Sequence, residues 1–287
     1  MRSRISVPLI PGLVFVVALA ACTAQLPASR AADPKPSAPT GQRVGDSLSV
    51  SKHRAELETL LRLTPERAAR QPATTSDPRS IAARCEAQLG QAPTYGSLAR
   101  VVDRSKPDLA THEYVALAWL FDHVQPDRYH AVQWAWNGHA YDYDEWISLG
   151  SSEFVWLGQW LEVEPTPGLP SRRELLKRLG LHKYAQVLRG EQPVSIDTYA
   201  YAGRRYYLLT YQLHAGAGDP DSFFTTLLQA SNGSAQLALW VDAPSGLLAK
   251  AQFVPAAGVL FQFEQVFAGY SGDIRVVAPP TAPSIRK

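Results

Sequence analysis

Only two of the 287 residues are cysteine, Cys22 and Cys85, so no framework of disulfides can hold this chain together. Net charge is also nearly missing. The formal value is +2, and leaving out Arg2 and Arg4 sets 26 Lys and Arg against 26 Asp and Glu. A chain so balanced lacks the basic footprint of a nucleic-acid binder. Sequence marks of catalysis are lacking too: no Gly-x-Ser-x-Gly elbow, no His-Glu-x-x-His and no phosphate-binding glycine loop occur. Titratable residues do crowd between His112 and Glu145, namely Glu113, Asp122, His123, His130, His139, Asp142 and Asp144. Metal ligands must converge on one point, and these spacings match no ligand signature; Asp142 and Asp144 share a strand face without the glycine that a calcium loop requires. A solvated polar face is expected there, with no metal, no cofactor and no enzymatic activity.

Long apolar runs are missing as well. Ile5 to Ala21 is broken by Pro8, Pro11 and Gly12, short of the ~20 apolar residues that cross a bilayer. With Arg2 and Arg4 ahead of it, the stretch reads as the basic and apolar regions of a secretory signal peptide, residues 1–21. It ends in Leu19-Ala20-Ala21-Cys22, which resembles the lipobox of bacterial lipoproteins. That resemblance implies cleavage before Cys22 and transfer of diacylglycerol to its sulfur. Two acyl chains anchor stably where one is marginal, at ~0.8 kcal/mol per buried CH₂. The mature chain is therefore expected outside the cytoplasm, tethered to a bacterial cell membrane or outer membrane. Thr23, in place of a retaining Asp, permits the latter.

Residues 22–50 are rich in Pro, Ala and Ser and poor in large apolar side chains, the composition of a disordered tether. Such a tether reaches ~30 Å, so the folded part stands off the membrane. Residues 51–110 read as an N-terminal helical segment. Leu57, Leu60 and Leu61 share a face, Thr64-Pro65 and Asp77-Pro78 look like caps followed by proline, and Cys85 lies on one face with Ile81 and Leu89. Burial as a small apolar residue is the expectation for Cys85.

From Tyr114 the pattern changes to period-two alternation of aromatic and β-branched residues. HEYVALAWLFDHV places Val115, Leu117, Trp119 and Phe121 on one face; RYHAVQWAW does the same for Val132, Trp134 and Trp136. Further strands are expected over 139–147, 153–163, 195–201, 204–214, 235–241, 247–254, 259–267 and 273–277. Ten-residue strands span ~33 Å, a length suited to a large curved sheet. Ala202-Gly203 and the VDAPSGLL stretch supply hairpin turns. Between early and late strands lies a helical insertion, residues 171–189, with a capping box of Ser171 and Glu174 and a stop at Gly180.

The lipobox, Pro126-Asp127-Arg128-Tyr129, Trp156 to Trp160, the paired leucines of the insertion and LWVDAPSGLL, in that order, resemble the LolA-type unclosed-barrel lipoprotein carriers, especially the LppX/LprG-like lipoproteins. The resemblance implies an α+β fold over residues 111–280: a strongly curved antiparallel sheet whose concave side holds acyl chains, palmitate or diacylglycerol among them, under helices that act as lid. It implies lipid or lipoprotein transport by a monomer. The alternative is a lipid-responsive envelope sensor that uses the same fold to bind a protein partner. Trp134, Trp136, Leu209, Tyr211, Leu239, Phe261 and Phe263 are the expected ligand-binding residues, because each belongs to an apolar period-two face. Cys22 is the expected lipidation site.

Overall fold

The computed structural model describes residues 53–72, 77–103, 114–136, 141–164, 171–214, 223–229, 233–255, 261–270 and 272–279. Cys22, the signal peptide and the tether lie outside them.

Helices form where the local signals are strongest. Helix α1, Arg54–Leu61, buries Leu57 and Leu60. Helix α2, Pro78–Gln91, begins with the Asp77 carboxylate accepting from the Ser80 amide and Pro78 in the first turn, and it buries Ile81, Ala82, Cys85 and Leu89. Helix α3, Arg172–Arg178, carries the complete capping box of Ser171 and Glu174. Helix α4, His182–Gly190, follows after a tight stop in which the Gly180 amide donates to the Lys177 carbonyl. A fifth helix, α5, Phe223–Gln229, reads FFTTLLQ and contains no charged residue.

Among the described residues twelve strands form one antiparallel sheet. In chain order they are β1 Ala69–Arg70, β2 Thr94–Asp103, β3 Tyr114–Val124, β4 Arg128–Trp136, β5 Tyr141–Leu149, β6 Ser152–Trp156, β7 Trp160–Val163, β8 Ser195–Tyr201, β9 Arg204–His214, β10 Ser234–Asp242, β11 Leu248–Pro255 and β12 Phe261–Ala268. Their order across the sheet is β1-β8-β9-β10-β11-β12-β2-β3-β4-β5-β6-β7. The end strands β1 and β7 are each paired on one side, so the barrel is unclosed. Bulges at Val101/Val102 and Trp240/Val241 sharpen the bend and twist locally. The fold is the α+β unclosed barrel expected from the sequence.

Four elements depart from expectation. Residues 51–110 hold, besides two helices, the edge strand β1 and the central strand β2; a boundary at residue 110 therefore falls between two hydrogen-bonded neighbours, β2 and β3. Thr64-Pro65 opens a turn instead of a helix, with the Arg67 and Ala68 amides donating to the Thr64 carbonyl. The run 153–163 is a hairpin, β6 and β7, bent at Gly158, whose φ of 81° suits glycine. Residues 273–277 form no strand. They pass over the sheet and bury Ile274 and Val276.

The two faces of the sheet are covered differently. Helices α2, α3, α4 and α5 lie on the inner face and share one large apolar cluster with it. Helix α1 and the 272–279 stretch cover parts of the outer face through two smaller clusters. All three clusters of the described residues lie between Leu57 and Val276.

Candidate functional site

Strand register places the inner-face residues in rows that cross the sheet. One row runs Tyr211, Leu237, Phe253, Phe263, Val101, Leu117 and Ala135, each paired with the next. Seven strands at ~4.8 Å spacing make this apolar row ~29 Å long. The next row runs Leu209, Leu239, Ala251, Gln265, Ala99, Trp119, Gln133 and Asp144. It begins apolar and ends polar. Alanine at 251, 99, 131 and 135 keeps this floor low enough for helices to approach, and larger rings fill the remaining volume.

Helix α5 lies over the row through Phe224, which stacks on Phe253 at 6.2 Å between centroids and meets Tyr184 edge-on at 5.5 Å. Helices α2, α3 and α4 are pinned by charge: Arg189 to Glu86 at 2.5 Å, Lys177 to Asp127 at 2.9 Å, and Arg172 to Asp144 at 3.6 Å. Helix α5 has no side chain able to form such a pair. Phe224, Leu227 and Leu228 pack it into the inner-face cluster.

One polar network interrupts the apolar interior. The Gln265 carboxamide oxygen accepts from Lys183 Nζ at 3.0 Å and the Tyr184 hydroxyl at 2.7 Å, while its nitrogen donates to Ser97 Oγ at 2.9 Å and the Leu179 carbonyl at 2.8 Å. Lys183 Nζ lies over three rings, Tyr184 at 4.8 Å, Phe263 at 5.1 Å and Phe224 at 5.9 Å. Lys183 is 1% exposed. Burial holds its amine well below the usual lysine range and raises the Tyr184 hydroxyl well above its own.

At one end of the inner face, between α2, α4 and the β3–β4 turn, a cleft of about 710 Å³ is lined by Tyr95, His123, Tyr129, Lys177, His182 and Arg189, among others. His123 lies between the Tyr95 and Tyr129 rings, tilted to each, at 4.8 and 4.7 Å between centroids. Desolvation lowers its pKa to about 4. On the outer face His130 bonds Glu145 at 2.9 Å. Both histidines are buried, which corrects the expectation of a solvated polar face. Asp144 is also part-buried beside Arg172, and desolvation raises its carboxyl. Among the described residues no three His, Cys, Asp or Glu side chains gather as a metal site would require.

The structure brings together Leu209, Tyr211, Leu239 and Phe263, all essentially unexposed on the inner face, and Phe261, half-buried against the same cluster near the end of β12. It does not bring Trp134 to them. That residue lies on the outer face with an edge-on contact to Tyr143 at 6.1 Å, and Trp136 occupies a backbone position of the same parity. Alternation shows which residues share a face and not which face turns inward, and on β4 the face bearing Trp134 turns outward. Lys183, Gln265 and α5 were missed. A lysine three residues past the Gly180 stop reads as an ordinary surface residue, and FFTTLLQ is too short for helical periodicity to show.

No protein-family model matches the chain, and no curated protein is similar to it in sequence. Similar solved structures include LprF from Mycobacterium bovis, 15% identical, covering 74% of this chain and 99% of that one with a TM-score of 0.49. They also include the lipoprotein LppX from Mycobacterium tuberculosis, 15% identical over 70% of this chain and 100% of that one, TM-score 0.45. A LolA superfamily protein from Nitrosomonas europaea is 10% identical over 68% of this chain and 93% of that one, TM-score 0.28.

Proposed function

We propose that this protein is an extracytoplasmic lipoprotein, held on a bacterial membrane through Cys22, that takes up acyl chains on the inner face of its sheet for lipid or lipoprotein transport. One observation carries the reading: a seven-strand apolar row, ~29 Å long, part of which lies under a helix without charged residues. An acyl chain entering there exchanges apolar contact for apolar contact. Displacing α5 exposes Phe224, Leu227 and Leu228, a loss of about 5–9 kcal/mol. A C16 chain burying some 14 methylenes gains about 11 kcal/mol before ordering costs. The two are close enough for uptake to be reversible, as transport demands. Helices α2, α3 and α4, fixed by ion pairs, keep the frame of the site in place.

The test is mass spectrometry of an organic extract from residues 47–287, which contain the whole described core and lack Cys22. Made in a lipid-replete host behind a cleavable signal peptide, this protein should carry stoichiometric lipid. Phe261→Glu should cut the lipid carried about tenfold, by placing a charge beside the apolar row. Trp134→Glu, on the outer face, should leave it unchanged. A folded protein empty of lipid would overturn the carrier reading and point to the sheet as a scaffold for an envelope protein partner, the sensor alternative.

A further inference from the structure

The cleft at the end of the inner face is built from polar parts. Its lining gathers nitrogen-bearing side chains from three elements: His123 near the end of β3, Lys177 on α3, and His182 and Arg189 on α4. Asp127 is the one acid among the described lining residues. Helix α4 begins within this lining, at Gly180, Leu181 and His182, and no side chain caps its start, so the positive end of the helix dipole meets the cleft. The floor there is bare by necessity. A side chain at Gly180 would meet the Lys177 carbonyl at 2.9 Å and His182 Nδ1 at 3.2 Å. His123 gives a separate sign of a ligand: it is 8% exposed, its ring is bonded to the Pro126 backbone, and among the described residues its Nδ1 has no hydrogen-bond partner. A buried polar atom without a partner is costly, and a group bound in the cleft would satisfy it.

We propose that this cleft binds a phosphate ester, held by Lys177, Arg189 and the start of α4, with His123 Nδ1 sharing a proton with one phosphate oxygen. The site goes beyond acyl binding and does not need it, since none of its lining belongs to the apolar row. Charge favours an anion. Lys177 and Arg189 face Asp127 and Glu86 at 2.9 and 2.5 Å, but Glu86 lies outside the lining, so two cations stand against one carboxylate within it. Burial lowers the proton affinity of both histidines, and Lys177 is near enough to each to lower it further. A bound anion relieves that repulsion. Donors arriving from three elements suit a tetrahedral phosphate, whose oxygens accept from several directions, better than a planar carboxylate. The proton at Nδ1 comes from the imidazolium or, for a monoester, from the phosphate itself. Lipid headgroups and soluble phosphate esters both carry this group, and the test tells them apart.

The experiment titrates residues 47–287, which hold every described residue, with sn-glycerol 3-phosphate and with dihexanoylphosphatidylglycerol below its micelle concentration. Binding is read from the NMR signals of the His182 amide and the His123 ring. Both probes should shift these signals, and Lys177→Gln should weaken both about tenfold, with Lys177→Arg restoring most of the loss. The Lys177–Asp127 pair is part-exposed, so breaking it leaves the fold intact. A lipid headgroup as the natural source predicts binding of the phosphatidylglycerol at least about tenfold tighter than that of glycerol 3-phosphate; equal binding assigns the site to soluble esters. Shifts scattered over exposed cations and indifferent to Lys177→Gln would mean an adventitious ion only and overturn the proposal, as would no shift with either probe. Such a failure leaves any lipid found by mass spectrometry untouched, whereas phosphate binding by a protein that carries no lipid would uphold the cleft while the carrier reading fell.

Discussion

Among the described residues each face of the sheet buries one lysine completely, and the two are bonded to different kinds of acceptor. On the outer face Lys250 Nζ donates to the Leu61 carbonyl at 2.8 Å and the Leu63 carbonyl at 3.0 Å, with Glu264 at 3.7 Å. Carbonyls at the end of α1 carry the negative end of the helix dipole, so a cation there is well placed. Glu264 in turn accepts from Arg100 at 2.6 Å and from Gln262 and Gln252. On the inner face Lys183 donates to the Gln265 carboxamide at 3.0 Å and lies over the rings of Tyr184, Phe263 and Phe224. The contrast separates a lysine bonded to main-chain carbonyls at the end of a covering helix from one bonded to a side chain of the sheet itself. Helix α1 is clamped to its face by Lys250, whereas α5 meets Lys183 through the Phe224 ring.

The largest effect should come from breaking the clamp. Lys250→Met leaves two carbonyls of the α1 end without their donor and takes a cation from beside Glu264. Removing one partner from a buried pair costs about 3–5 kcal/mol, which urea unfolding would record as a lower midpoint. A change under ~1 kcal/mol would mean that the outer face is no more committed to its lysine than the inner one.

The histidines sharpen the same comparison at a smaller scale. His130 on the outer face has a carboxylate partner, whereas His123 at the inner end has two tyrosine rings, with Asp127 and Lys177 the charges nearest it. With a folded pKa of about 4 against ~6.5 unfolded, His123 takes its proton more readily in the unfolded chain. Its contribution is complete above pH ~6.5 and is lost as pH falls toward 4; by pH 5 the loss is about 2 kcal/mol. Unfolding free energies of the protein and of His123→Phe, compared at pH 7 and pH 5, should differ by that amount in slope, with the variant the flatter. Parallel slopes would show that the ring is hydrated after all.

Local signals were legible. Asp77-Pro78, the Ser171/Glu174 box and the 195–201 and 204–214 strands are found where the residues place them, because each depends on neighbours within one turn or one strand. Strand β2 was not legible: its partner β12 lies over 160 residues away, and its alternation follows directly on a helix. The orientation of β4 was hidden for a different reason. Both of its faces are apolar, and what decides between them is that α2–α5 come down on the alanine side, a fact of tertiary packing. Cys85 shows the opposite case: one helical period predicts its burial, and burial pushes its thiol up to about 12.

The smallest expected effect is the one that tests the contrast most directly. Lys183→Met replaces an amine by a thioether of similar length among Tyr184, Phe263 and Phe224, surroundings that suit methionine. Gln265 keeps the Tyr184 hydroxyl on its oxygen, so that acceptor is not orphaned. Exchange of a buried charge for a well-packed apolar group is often neutral, and the change in unfolding free energy should stay within about 1 kcal/mol, of either sign. The same substitution at position 250 should cost several times more. If Lys183→Met destabilised the protein as much as Lys250→Met, the inner lysine would be a structural clamp like the outer one, and holding α4 against Gln265 would be its whole role.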